Sequence, residues 1–153
     1  MSNEVLGLEP LPEAVSESAI DKIRVYSYPN VSKLEAEIEL AKHILDLEDD
    51  WDGEGSPRYS VDTLERAARF IRTQCDWLWD LFGMVATVPR IGPGPNGGID
   101  IHWKQPSWEL LVNIPAENKQ MATFYGDDYG VEVIRRSFDP AEPNRGLIAW
   151  LME

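Results

Sequence analysis

Apolar and polar positions along the chain follow two different periods. In the first half, Leu34, Ile38, Ala41 and Leu45 recur at steps of four and three, one face of a helix. Ser32-Lys33-Leu34-Glu35 has the form of a capping box and predicts the start of that helix. A second helix is predicted from near Ser60, where Leu64, Ala68, Ile71, Cys75, Leu78 and Phe82 form a continuous stripe. Phe70, Trp77 and Leu81 widen its apolar surface, Gly83 ends it, and Arg66, Arg69 and Arg72 are expected on its other side. From residue 85 the period changes to two. A short strand is expected at 85–88, then a Pro/Gly loop, then Ile99, Ile101 and Trp103 alternating with Asp100, His102 and Lys104. Trp108, Leu110, Val112 and Ile114 alternate with Glu109, Leu111 and Asn113 in the same way, and further strands are expected near 119–125 and 130–136. Short connections make the pairing mainly antiparallel. A C-terminal helix is expected to dock through Leu147, Ile148, Trp150 and Leu151.

Ahead of the first helix, Ile23-Arg24-Val25-Tyr26-Ser27-Tyr28 alternates up to Pro29 and predicts an edge strand. Residues 1–18 have neither period and are expected to form a flexible acidic arm. The predicted fold class is α+β: two main helices plus a short C-terminal helix, packed on a four- or five-stranded mainly antiparallel sheet. It is expected as a single domain over residues 19–153.

Composition narrows the function classes. The 153 residues are 43% hydrophobic, enough to build a core, and they lack a secretory start or a long apolar run. One cysteine, Cys75, falls in the apolar stripe, so no intramolecular disulfide is expected and a cytoplasmic location fits best. The net charge of −13 disfavours direct binding to a nucleic-acid backbone. That charge is uneven: residues 1–56 hold 14 acidic and 4 basic side chains, whereas 57–153 hold 13 and 10. A basic protein partner follows more naturally than a membrane or a polyanion.

The densest acidic run is Glu48-Asp49-Asp50-Trp51-Asp52-Gly53-Glu54-Gly55, placed where the first helix should end. There the helix dipole makes anions unfavourable by a few tenths to about 1 kcal/mol each. A local rule broken in this way points to function, unless Asp52 bonds backbone N–H groups across the turn, Gly53 and Gly55 supply positive φ, and Arg58, Arg66 or Arg69 offsets the charge. Glu48, Asp49, Asp50, Trp51, Asp52 and Glu54 are therefore the candidate partner-binding residues, with Trp51 either anchoring the turn in the core or facing the partner. The alternate spacing of Glu48, Asp50 and Asp52 before Gly53 resembles the opening of an EF-hand loop, but the twelfth position is Tyr59, so no metal is assigned. Gly92 to Gly98 lacks the Gly-Lys-Ser/Thr of a phosphate cradle and predicts a hairpin turn. Asp100, His102 and Lys104 share one strand face near Glu109, the best enzymatic candidate, though without a complete catalytic motif. Among the tryptophans, Trp79 and Trp150 are expected to be the exposed ones.

The Trp51-Asp52-Gly53-Glu54-Gly55 turn, a helix, and then the Pro93-Gly94-Pro95-Asn96-Gly97-Gly98-Ile99-Asp100-Ile101-His102-Trp103 stretch together resemble a family of small, uncharacterised bacterial and phage-borne proteins. These carry a W-D-G-x-G turn and a P-x-G-G strand start. The resemblance covers about a third of the chain and brings no activity or cofactor with it; it implies a mobile-element or defence setting. The expected function is a small acidic regulatory or inhibitory protein-binding module, antitoxin-like or counter-defence, and not an enzyme. The alternatives are a metal-dependent phosphodiesterase and a structural subunit of an assembly; a homo-oligomer is compatible with each.

Overall fold

The computed structural model describes residues 30–130, 133–142 and 144–152. The expected arm and the strand expected at residues 23–28 lie outside them. Helix α1 spans Val31–Ala41 and tightens into a 3-10 turn over Lys42–Asp46; α2 spans Val61–Phe82. Strands β1 (Arg90–Pro93), β2 (Ile99–Lys104), β3 (Glu109–Ile114), β4 (Ala122–Asp127) and β5 (Val133–Phe138) follow, and α3 (Arg145–Leu151) closes the described chain. The architecture is α+β with a five-stranded sheet, every neighbouring pair antiparallel, in the order β1-β2-β3-β4-β5.

Helix α2 starts and stops as its sequence dictates. The Ser60 hydroxyl accepts the Thr63 N–H at 3.1 Å, and Gly83 ends the helix at a φ of 63° that disfavours a β-carbon. Helix α1 differs from expectation. Its cap is Asn30, at a φ of 72° and without a side-chain hydrogen bond, so Ser32 lies inside the first turn. Glu35 does not close a capping box; Arg72 of α2 takes both of its oxygens, at 2.6 and 2.8 Å. That bidentate pair holds the Glu35 carboxyl below its ordinary range, chiefly by hydrogen bonding, and ties the two helices together. Because a 3-10 turn advances three residues per turn, the inward position after Ala41 is Ile44, fully buried, and Leu45 is only half-buried.

Alternation on the central strands is as expected. Ile99, Ile101 and Trp103 pair in register with Ile114, Val112 and Leu110, and all six are buried on the face crossed by α2. Each contributes about 1.5–3 kcal/mol of apolar burial. Helix α3 covers the same face, where Leu147, Trp150 and Leu151 are buried. Trp150 lies so close to β4 that a β-carbon on Gly126 would sit 2.5 Å from its ring. The expectation that Trp150 is exposed is therefore wrong, and Trp79 is half-buried against the core.

Two further expectations are corrected. Residues 85–88 form no strand: Pro89 has no N–H to give a ladder, β1 starts after it, and the Thr87 carbonyl accepts the Trp103 indole N–H at 2.8 Å. Arg66 does not lie on the far side of α2. One of its terminal nitrogens donates to the Pro115 and Ala116 carbonyls, both at 3.0 Å, joining α2 to the loop after β3.

With the described helices packed on one face, the other face of the sheet carries Asp100, His102, Lys104, Glu109, Leu111, Asn113, Thr123 and Tyr125. Helix α1 reaches that face only at its β1 edge, where Glu37 accepts the Ile91 N–H at 3.3 Å.

Candidate functional site

The acidic run forms a closed loop whose own carboxylates hold it. Asp50 N–H donates to the Ser56 carbonyl at 2.7 Å, and the Asp50 carboxylate accepts the Gly55 N–H at 2.6 Å. Asp52 accepts the Glu54 and Ser56 N–H groups at 2.9 and 3.3 Å and the Ser56 hydroxyl. These bonds, the Ser56 hydroxyl first, keep the Asp52 carboxyl below its ordinary range. Asp49 accepts the Arg58 N–H at 2.9 Å, across the neck of the loop. Asp50 itself adopts a φ of 61°, and Gly53 and Gly55 lie at 74° and 82°. The apparent conflict with the α1 dipole is thus resolved: the helix has ended by Asp46, and three of the five carboxylates satisfy backbone donors.

Residues 48–55 are all exposed, so Trp51 does not anchor the turn in the core. It is 40% exposed and lies beside Tyr59, with ring centroids 6.2 Å apart. Glu48 and Glu54 hold no loop backbone; Glu48 has only a 3.7 Å approach from Arg58. The loop therefore presents an aromatic ring among five negative charges on a backbone fixed before any partner arrives.

Tyr59 joins this loop to the glycine-rich hairpin. It is buried, and its hydroxyl donates to the Gly94 carbonyl at 2.8 Å. Gly97 packs over Pro57 and the Arg58 carbonyl. Burial raises the Tyr59 phenol above its ordinary range, and the charges of Asp52 and Asp100 push the same way. The hairpin closes through Gly94 N–H to the Gly98 carbonyl, 2.8 Å, and Gly98 N–H to the Pro95 carbonyl, 2.9 Å. A β-carbon on Gly94 would meet Asp100 Oδ1 at 2.7 Å and Asn113 Nδ2 at 2.9 Å, so the hairpin fits tightly over that pair. The W-D-G-x-G turn and the P-x-G-G strand start, some forty residues apart in the chain, meet in space.

Beneath the hairpin, Asn113 donates to Asp100 Oδ1 at 2.9 Å, and burial raises the Asp100 carboxyl above its ordinary range. His102 donates from Nε2 to Glu109 at 2.8 Å. Between α1 and this part of the sheet lies a cleft of about 460 Å³, lined by Glu37, His43, Arg90, Gly92, Asp100 and His102, with Leu111 at its end. Both histidines of the chain border it. Among the described residues no three His, Cys, Asp or Glu side chains converge as a cation cage, and of the EF-hand-like trio Glu48, Asp50 and Asp52 the two aspartates are spent on backbone donors.

No known protein family, curated protein or solved structure matches this chain. Its functional reading therefore rests on its own geometry. That geometry brings the six expected binding residues onto one exposed loop, and sets Asp100 and His102 with Glu109 on the sheet face. Lys104, at the far end of β2, does not line the cleft. Tyr59, Asn113 and Glu37 are the residues that sequence reasoning missed. Asn113 had a visible signal, since alternation places it on the same face as Asp100. Tyr59 and Glu37 act through contacts 35 and 54 residues distant in the chain. Among the described residues no helix is long and apolar enough to cross a membrane.

Proposed function

We propose that this protein is a small regulatory or inhibitory protein-binding module that engages a basic partner through the loop at residues 48–54. The observation that carries the proposal is Trp51: a 40% exposed indole framed by carboxylates on a loop already fixed by its own hydrogen bonds. An exposed tryptophan on a preorganised backbone costs little entropy to bury, and interface hot spots are enriched in this residue. The surrounding charge steers a basic surface towards it. An antitoxin-like or counter-defence role is the biological setting that an acidic inhibitor of this size suggests.

The loop geometry also selects the variants for a test. Reversing Asp49, Asp50 or Asp52 would break the loop, so lost binding would report misfolding. Glu48→Lys, Trp51→Ala and Glu54→Lys touch none of its backbone bonds. Affinity capture from host lysate at low and high salt, wild type beside this triple variant, is the experiment. A single stoichiometric basic protein, released by salt and absent from the variant at unchanged Tm, is expected. Equal capture by both proteins would refute the role of the loop.

A second reading has one observation in its favour. The His102–Glu109 pair beside Asp100 is an oriented imidazole next to a carboxyl, as a metal-assisted phosphodiesterase could use. Calorimetry with magnesium and manganese tests it, and silence at millimolar metal would remove it.

A further inference from the structure

The cleft between α1 and β1–β2 has an unusual balance of donors and acceptors. His43 Nδ1 lies 2.6 Å from the Leu40 carbonyl, which can only accept, so that nitrogen carries the proton and Nε2 is left with a lone pair. His102 gives its Nε2 proton to Glu109, leaving Nδ1 as the acceptor. Asp100 uses Oδ1 for Asn113, and among the described residues its Oδ2 has no hydrogen bond. Glu37 accepts one backbone N–H through Oε2, and among the described residues its other oxygen has no hydrogen bond. Gly92, paired in register with Asp100, leaves open space above the strand: a β-carbon there would meet nothing within 4 Å. The lining thus offers two carboxylates and two imidazole lone pairs. Among the described lining residues the one cation, Arg90, is set opposite His102, two residues and roughly 6–7 Å along β1 from Gly92.

We infer that this cleft is a receptor for a guanidinium group, an arginine side chain of the same basic partner, seated over Gly92 between Glu37 and Asp100. A guanidinium supplies up to five donors and no acceptor, the complement of this lining; an ammonium supplies three. The Tyr59–Gly94 bond ties the acidic loop to the hairpin that lies over Asp100, so a basic segment bound across Trp51 would reach the cleft by crossing that hairpin. Its use by a partner rests on the function proposed above; cation binding itself does not.

The test therefore needs no partner. Ethylguanidinium chloride is titrated into the 15N-labelled protein at constant ionic strength and followed by NMR, with ethylammonium chloride as a second arm. Saturable shifts at Gly92, Gly94, Asp100 and the His102 ring are expected, with Kd on the order of millimolar for so small a ligand. Guanidinium should bind more tightly than ammonium. Asp100→Asn, which keeps the shape and the Asn113 contact, and separately Glu37→Gln, should each weaken binding at least five-fold, whereas Glu48→Gln with Glu54→Gln should leave it unchanged. Affinity should also fall as pH drops and Asp100, its carboxyl raised by burial, takes up a proton. Shifts that stay linear with concentration, saturate only in the acidic loop, or persist unchanged in both cleft variants would overturn the inference. The loop-only result would do so while leaving the proposed function standing.

Discussion

At the scale of single residues, Asp100 is the side chain that costs stability where it sits. Burial raises its folded pKa, so between its unfolded value and that raised value the folded state holds more protons than the unfolded one. Stability is therefore lost as pH rises through this window, and the penalty is complete above it. Asp100→Asn should raise Tm at pH 7 by a few degrees, equivalent to about 1 kcal/mol after allowance for partial solvent screening. The difference should vanish below about pH 4. Thermal melts of both proteins across pH 3.5–8 check this, and a variant less stable at every pH would contradict it. Glu35 has the opposite sign. Its lowered carboxyl contributes stability above the ordinary glutamate range and loses it as pH falls through the lowered value, so Glu35→Gln should flatten the acid limb of the same melts. The acidic run was visible from the sequence, as were the backbone bonds of Asp52 and the positive φ of Gly53 and Gly55, but the bonds of Asp49 and Asp50 were not. Asp49 reaches the Arg58 N–H nine residues away, a contact that depends on how the loop closes.

At the scale of elements, what was legible had a local cause. Ser60, the stripe from Leu64 to Leu78, and Gly83 fix α2 within one stretch of chain, and strict alternation fixes the inward faces of β2 and β3. The elements misplaced were those set by distant partners. Arg72 takes Glu35 away from a capping box, and the 3-10 turn re-phases α1 so that Ile44 packs inward. Docking of α3 depends on Gly126, which reads in the sequence only as a possible turn. Its lack of a side chain lets Trp150 lie on β4, so Gly126→Ala should cost about 1–3 kcal/mol through overpacking. The loss should appear first as faster hydrogen exchange in α3. Slowed exchange there, or an unchanged Tm, would show that the ring can move aside without cost.

At the scale of the whole molecule, charge separates the two ends of the binding problem. In the proposed role, the net charge of −13 would speed encounter with a basic partner, while the bonded loop and the acceptor-lined cleft would decide whether the encounter lasts. Raising salt from about 50 to 500 mM should thus slow association by at least ten-fold and change dissociation much less, a contrast that stopped-flow measurements would reveal. The sheet has its own asymmetry. Glu37 occupies the Ile91 N–H on the outer side of β1, so that margin cannot template another strand. Among the described residues the outer side of β5 pairs with nothing, yet its centre is Arg135-Arg136. Growth of the sheet by self-addition would have to start there and would bring the guanidinium groups of two copies together. Among the described residues, one carboxylate and two arginines thus oppose polymerisation of this acidic protein along its own strands.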